Sequence, residues 1–78
     1  MDVKVTKDCY IPKEEIKLYV AYSSAPIIRD VRKRKEEGTI FDMTCGKKAL
    51  CVIYLKSGDA VLVNTAPATI RARMEAAE

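Results

Sequence analysis

Residues 49–55 read Ala-Leu-Cys-Val-Ile-Tyr-Leu, the most apolar stretch of the chain. Successive side chains of a strand point to opposite faces of its sheet. Here Ala49, Cys51, Ile53 and Leu55 share one side, and Leu50, Val52 and Tyr54 share the other. Both sides are apolar. A strand of this kind must be covered on both faces, which makes it the centre of a sheet and not its half-wetted edge.

The neighbours of this stretch supply its partners. Ser57-Gly58-Asp59 has the composition of a tight hairpin turn. Ala60 to Asn64 then returns as the next strand. Upstream, Thr39 to Thr44 reads as a strand, separated from the apolar stretch by Cys45-Gly46-Lys47-Lys48. Gly46 suits the first central position of a type II′ hairpin, where φ is positive, and Lys47 and Lys48 then lie at the tip. Glu15 to Tyr22 alternates Ile16, Leu18, Val20 and Tyr22 against Glu15, Lys17, Tyr19 and Ala21, the pattern of a half-buried strand. Val3 to Thr6 is a short strand that Cys9-Tyr10-Ile11 extends or restarts before Pro12 interrupts it.

Two helices are punctuated. Ser24 is placed to cap the first, Pro26 falls in its first turn, and Gly38 is a left-handed stop. Ile27, Ile28 and Val31 mark its apolar face, and Asp30/Arg34, Arg32/Glu36 and Lys33/Glu37 form pairs at i,i+4 spacing. Pro67 opens the second helix, with Ile70, Met74 and Ala77 on one face. The expected order is β-β-α-β-β-β-α, one α+β domain over residues 1–78 with a small antiparallel sheet, a mid-chain helix and a short C-terminal helix. Connections this short favour a meander for the three strands after the first helix.

Size then suggests assembly. A domain of 78 residues buries only about 60% of its unfolded surface. Its helices can cover one face of the sheet, so the second apolar face of residues 49–55 predicts a homo-oligomer.

Composition narrows the function. Hydrophobic residues make up 49% and charged residues 32%, the balance of an ordered globular protein. No apolar run approaches the ~20 residues that span a bilayer, and Met1 to Asp8 lacks the apolar centre of a signal peptide, so no membrane partner and a cytoplasmic location are expected. The chain has no histidine, and its three cysteines, Cys9, Cys45 and Cys51, contain no Cys-x-x-Cys. Reduced thiols acting as small hydrophobes are expected, with no metal and no cofactor. No nucleophile elbow or phosphate loop is present, so an enzyme acting on a small-molecule substrate is not expected. Asp42, beside Cys45, reads as a capping residue at a strand end and not as an acid.

The net charge is +3, from 14 basic and 11 acidic residues. A single copy this close to neutral holds a polyanion weakly, because affinity scales with the phosphates neutralised. Paired lysines repeated around an oligomer would add up to a multivalent band. The basic run Arg29 to Lys35 is a second, partly neutralised patch.

From Ser24 to Met74 the chain resembles the small bacterial regulators of the RemA family. The matching residues are Ser24-Ala25-Pro26-Ile27, Arg32 to Gly38, Ile40, Asp42, Thr44, Gly46-Lys47-Lys48 and Val52 to Met74. The resemblance implies a transcription regulator that binds double-stranded DNA, with a fold similar to the LytTR domain and assembly into rings, heptameric ones among them. It places the DNA contact at Gly46, Lys47 and Lys48, where the family carries Gly-Arg-Arg. Lysine keeps the charge but lacks the planar fork that reads guanine, so a softer sequence preference follows. Lys13, Arg29, Arg32 and Lys33 are further candidates. A ring-forming scaffolding module without DNA binding is the rival reading.

Overall fold

A computed structural model describes residues 1–77. The first two strands, β1 (Asp2–Thr6) and β2 (Cys9–Pro12), form a separate antiparallel hairpin. A short 3-10 turn at Lys13–Glu15 leads into β3 (Ile16–Ala21), followed by helix α1 (Ala25–Glu37), β4 (Ile40–Asp42), β5 (Cys51–Leu55), β6 (Ala60–Val63) and helix α2 (Pro67–Ala76). The α+β class and both helices agree with the sequence reading. Cys9-Tyr10-Ile11 restarts as a strand of its own, which makes six strands.

The main sheet has the order β3-β5-β6-β4. β5 pairs antiparallel with β3 and β6, as a central strand should. The expected meander is not formed. β4 pairs with β6, not β5, and it does so in parallel. The sheet is therefore mixed, and residues 43–50 are not a hairpin. They step from the edge strand across the end of β6 to reach β5, a span of about two strand spacings, or ~9.6 Å.

The double-sided reading of β5 holds, and both of its faces are packed within the chain. Cys51 and Ile53 lie in a core with Val3, Val5, Ile11, Ile16, Val61, Val63, Ile70 and Ala77, supplied by the β1–β2 hairpin and α2. Val52 lies in a second core with Val31, Ala60 and Leu62, under α1. Cys51, Val52 and Ile53 are all fully buried within one chain. The β1–β2 hairpin, a separate two-stranded sheet, covers the face of β5 opposite α1. Each buried Val or Ile contributes about 1.5–3 kcal/mol, so a lone subunit has two satisfied cores.

A bulge explains a second departure. Ile16 pairs with Leu55 and Leu18 with Tyr54, leaving Lys17 as the extra residue. A bulge switches the faces that follow it. Ile16 thus joins the hairpin-side core while Val20 and Tyr22 pack on the α1 side, and Leu18 is left exposed.

Helix α1 is held by its punctuation and by one network. Gly38 has φ of 74° and ends the helix, and the Thr39 amide donates to the Arg34 carbonyl at 3.0 Å. Ser24 occupies the cap position without a side-chain hydrogen bond, and its carbonyl accepts from the Ile28 amide at 3.0 Å. Arg34 Nε donates to Asp30 Oδ2 at 2.9 Å, its guanidinium lies 5.2 Å from the Tyr54 ring centre, and Nη1 reaches the Gly58 carbonyl at 2.8 Å. No helix among the described residues is long and apolar enough to cross a membrane.

Candidate nucleic-acid interface

The step over β6 shapes the basic segment. The Met43 amide donates to the Leu62 carbonyl at 2.8 Å, and the Leu50 amide donates to the Val63 carbonyl at 2.9 Å. Both ends of the loop are thus fastened to consecutive residues of one strand. The Leu50 carbonyl also accepts from the Tyr22 amide at 3.0 Å.

Asp42 anchors the entry, as the sequence suggested. Its Oδ1 accepts from the Thr44 amide at 3.0 Å and from the Thr44 hydroxyl at 2.6 Å, while Oδ2 lies 3.8 Å from Lys35 Nζ. These hydrogen bonds, the Thr44 hydroxyl first, hold the Asp42 carboxyl below its ordinary range. Thr44 is buried, and the chain then turns sharply outward.

The turn differs from the expected type. Cys45 has φ of 55° and Gly46 has φ of 80°, and the Lys47 amide donates to the Thr44 carbonyl at 3.0 Å. Two central residues with positive φ define a type I′ turn, with Gly46 second and not first. Lys47 follows the turn directly, and Lys47 and Lys48 are both exposed. Cys45 is exposed as well, so it is not the small hydrophobe expected; Cys51 is, and burial pushes its thiol up to about 11.

Topology sorts the other candidates. The hairpin tip Lys7-Asp8, the turn at 44–47 and the segment after β6 meet at one end of the sheet, where Thr6, Lys7, Asp8, Met43, Cys45, Lys47 and Asn64 line a cleft of about 250 Å3. Lys13 belongs to the opposite end of the hairpin: its amide donates to the Met1 carbonyl at 2.8 Å. That end lies roughly 15 Å from the tip at ~3.3 Å per residue. Arg29, Arg32 and Lys33 are exposed on α1, which covers the other face of the sheet. Of the basic residues of this helix, Arg34 reaches the Gly58 carbonyl and Lys35 lies 3.8 Å from Asp42. Lys13, Arg32 and Lys33 are not brought together with Lys47 and Lys48.

Lys7, which the sequence reading did not single out, also lines this cleft. Beside it, the Thr6 hydroxyl donates to Asn64 Oδ1 at 3.1 Å, a contact between residues 58 positions apart. The Thr65 hydroxyl reinforces this by donating to the Val5 carbonyl at 2.7 Å.

A second surface is apolar. Cys9, Tyr10, Ile11, Pro12, Phe41 and Met43 are among the residues lining a cleft of about 330 Å3 between the hairpin and β4. Tyr10 is 59% exposed and Phe41 57% exposed. Among the described residues no group of acidic, cysteine or histidine side chains could hold a metal ion.

Comparison with known proteins agrees with the resemblance. Residues 3–74 match the family described as RemA-like, Extracellular matrix regulatory protein A-like. A relative from Dehalococcoides mccartyi, named as a candidate regulatory protein, is 44% identical over 52 residues, covering 67% of this chain and 54% of the relative. One from Synechococcus elongatus, named likewise, is 32% identical over 65 residues, covering 83% of this chain and 75% of the relative. One from Lachnoclostridium phytofermentans is 36% identical over 55 residues, or 70% of this chain and 60% of the relative. The chain spans about half the length of the first of these curated relatives.

Proposed function

The chain belongs to the RemA-like family, and from that premise we propose that it is a transcription regulator that binds double-stranded DNA as a ring of identical subunits. Lys47 and Lys48 make the principal contacts, to backbone phosphates. The observation that carries this reading is the anchored loop over β6. Hydrogen bonds fix both of its ends and its Asp42–Thr44 corner, and its two adjacent lysines remain exposed. A held loop presents charge at lower entropic cost than a mobile one.

Assembly enters through arithmetic. At +3 per chain, one copy supports few phosphate contacts. Several copies, each presenting the same pair, sum those contacts on one duplex. The exposed aromatic cleft supports the contact between copies, with Tyr10 and Phe41 as the large apolar side chains that one chain leaves wet. The same cleft favours the second reading, a ring-forming scaffolding module that binds protein and no DNA.

An electrophoretic titration of the parent and of the Lys47→Ala/Lys48→Ala variant, over a range of salt, separates these readings. The parent is expected to retard a duplex with steep salt dependence. The variant is expected to assemble normally and lose most of the binding. Equal retardation by both proteins would remove the assigned surface, and no retardation by the parent at low salt would favour the scaffold.

A further inference from the structure

We propose that the cleft between the hairpin tip and the 44–47 turn is a phosphate-binding site, in which Lys7 and Asn64 join Lys47 on a single backbone phosphate of the duplex. The inference rests on the DNA-binding reading and deepens it: it names a site where that reading names only two side chains.

Three separate segments of the chain build the site. Lys7 comes from the β1–β2 tip, Lys47 from the end of the type I′ turn, and Asn64 from the residue after β6, and all three line the same cleft of about 250 Å3. None is near another in sequence. They converge because the loop at 43–50 straddles the end of β6 and because Thr6 and Asn64 tie the hairpin to that end.

The donor count favours an anion. Asn64 Oδ1 is occupied as the acceptor of the Thr6 hydroxyl. Its amide nitrogen keeps two N–H donors, and among the described residues neither makes a hydrogen bond. Lys7 and Lys47 are exposed and contribute two ammonium groups. The opposing group is Asp8, also on the cleft, so the local balance is two positive charges against one negative. A phosphodiester carries one negative charge spread over two oxygens. It accepts from several directions at once, which suits two ammonium groups and a neutral amide approaching from different segments.

Ammonium groups bind phosphate as point charges. The site therefore adds affinity and register without reading bases. Asp8 limits the affinity of each subunit, so its removal changes binding in the direction opposite to the loss of Lys7.

The test is a fluorescence titration of a mixed-sequence duplex with the full chain between about 50 and 200 mM salt. Lys7→Ala, Asn64→Asp and Asp8→Asn are compared with the parent, each checked for unchanged circular dichroism. Lys7→Ala is expected to weaken binding and reduce the slope of log K against log salt by about 0.9 per engaged subunit. Asn64→Asp keeps the acceptor for Thr6, loses the donors and weakens binding. Asp8→Asn tightens it. In parallel, the Asn64 side-chain amide resonances are followed with duplex and with inorganic phosphate alone, and the duplex is expected to shift them at far lower concentration. If the parent binds the duplex while Lys7→Ala and Asp8→Asn leave affinity and slope unchanged, the cleft is not the site and the DNA-binding reading survives. If inorganic phosphate shifts Asn64 and the duplex does not, the ligand is a free phosphate and the proposal fails. If the parent binds no duplex, both readings fall together.

Discussion

The Tyr54 hydroxyl donates to Asp30 Oδ2 at 2.6 Å, joining the centre of the sheet to helix α1 across 24 residues of sequence. The same carboxylate receives Arg34. Asp30 is held below the ordinary carboxylate range, by Tyr54 first and Arg34 after it. Burial, with the Asp30 hydrogen bond and charge behind it, pushes Tyr54 up to about 12.

Alkaline titration should expose this bond. The folded value of Tyr54 lies above its unfolded value of 10.0, so its stabilisation is full below pH 10 and is lost as pH rises toward about 12. Tyr54→Phe should lower stability near neutrality by about 1–2 kcal/mol, the range for a hydrogen bond to a charged, partly exposed partner. It should also remove much of the alkaline loss. Urea unfolding at several pH values checks both, and an unchanged alkaline limb in the variant would assign that limb to another group.

Asp42 sets charge against geometry. Asp42→Ala raises the net charge from +3 to +4, which by Coulomb attraction alone would tighten DNA binding. It also frees the Thr44 amide and hydroxyl and so loosens the turn that carries Lys47 and Lys48. The expected result is weaker binding and a stability loss of about 1–2 kcal/mol. Because the folded carboxyl is depressed, the stability contributed by Asp42 is present above the ordinary carboxylate range and is lost as pH falls through the lower folded value. A gain in duplex affinity would show that the loop keeps its shape without this anchor.

Cys45 sits at positive φ in a turn that favours Asn-Gly. Cys45→Asn should therefore raise stability, by about 0.5–1 kcal/mol, since a left-handed conformation costs an ordinary side chain ~1–2 kcal/mol and asparagine less. Lys47 and Lys48 stay in place, so duplex affinity should hold. A lowered urea midpoint would mean that the thiol has a packing role which its exposure does not suggest.

Much of this architecture was legible because its signals are local. The alternation in Cys51 to Leu55 marks a covered strand whatever lies on either side, and Pro26 and Gly38 bracket α1 by backbone preference alone. The misreadings share a different cause. The segment 43–50 is compatible with a long hairpin loop and with a step across a strand, and only the pairing of β4 with β6 decides between them. The bulge at Lys17 carries no glycine or proline to announce it. Lys7 looks like any hairpin-tip lysine until the Thr6–Asn64 contact brings it beside the turn. The one available hint was length, since residues 43–50 exceed what a two-residue turn requires.

The exposed pair Tyr10 and Phe41 carries the last prediction. They face water beside the apolar cleft, on the side of the molecule where β4 leaves an open strand edge, while β3, with exposed Leu18, is the opposite edge. Contacts between two different surfaces propagate from copy to copy and close into a ring when the rotation allows. A Tyr10→Ser/Phe41→Ser variant is expected to sediment as single subunits. Both faces of β5 are covered within one chain, so those subunits should keep the parent's circular dichroism. Their urea midpoint should not depend on protein concentration, as it would if folding required the assembly. Duplex affinity should fall by about 10²-fold or more, although every lysine is retained, because avidity is lost. An assembly that persists would place the contact on another surface. Unfolding on dispersal would mean that two in-chain cores do not suffice, and that the ring supplies stability as well as charge.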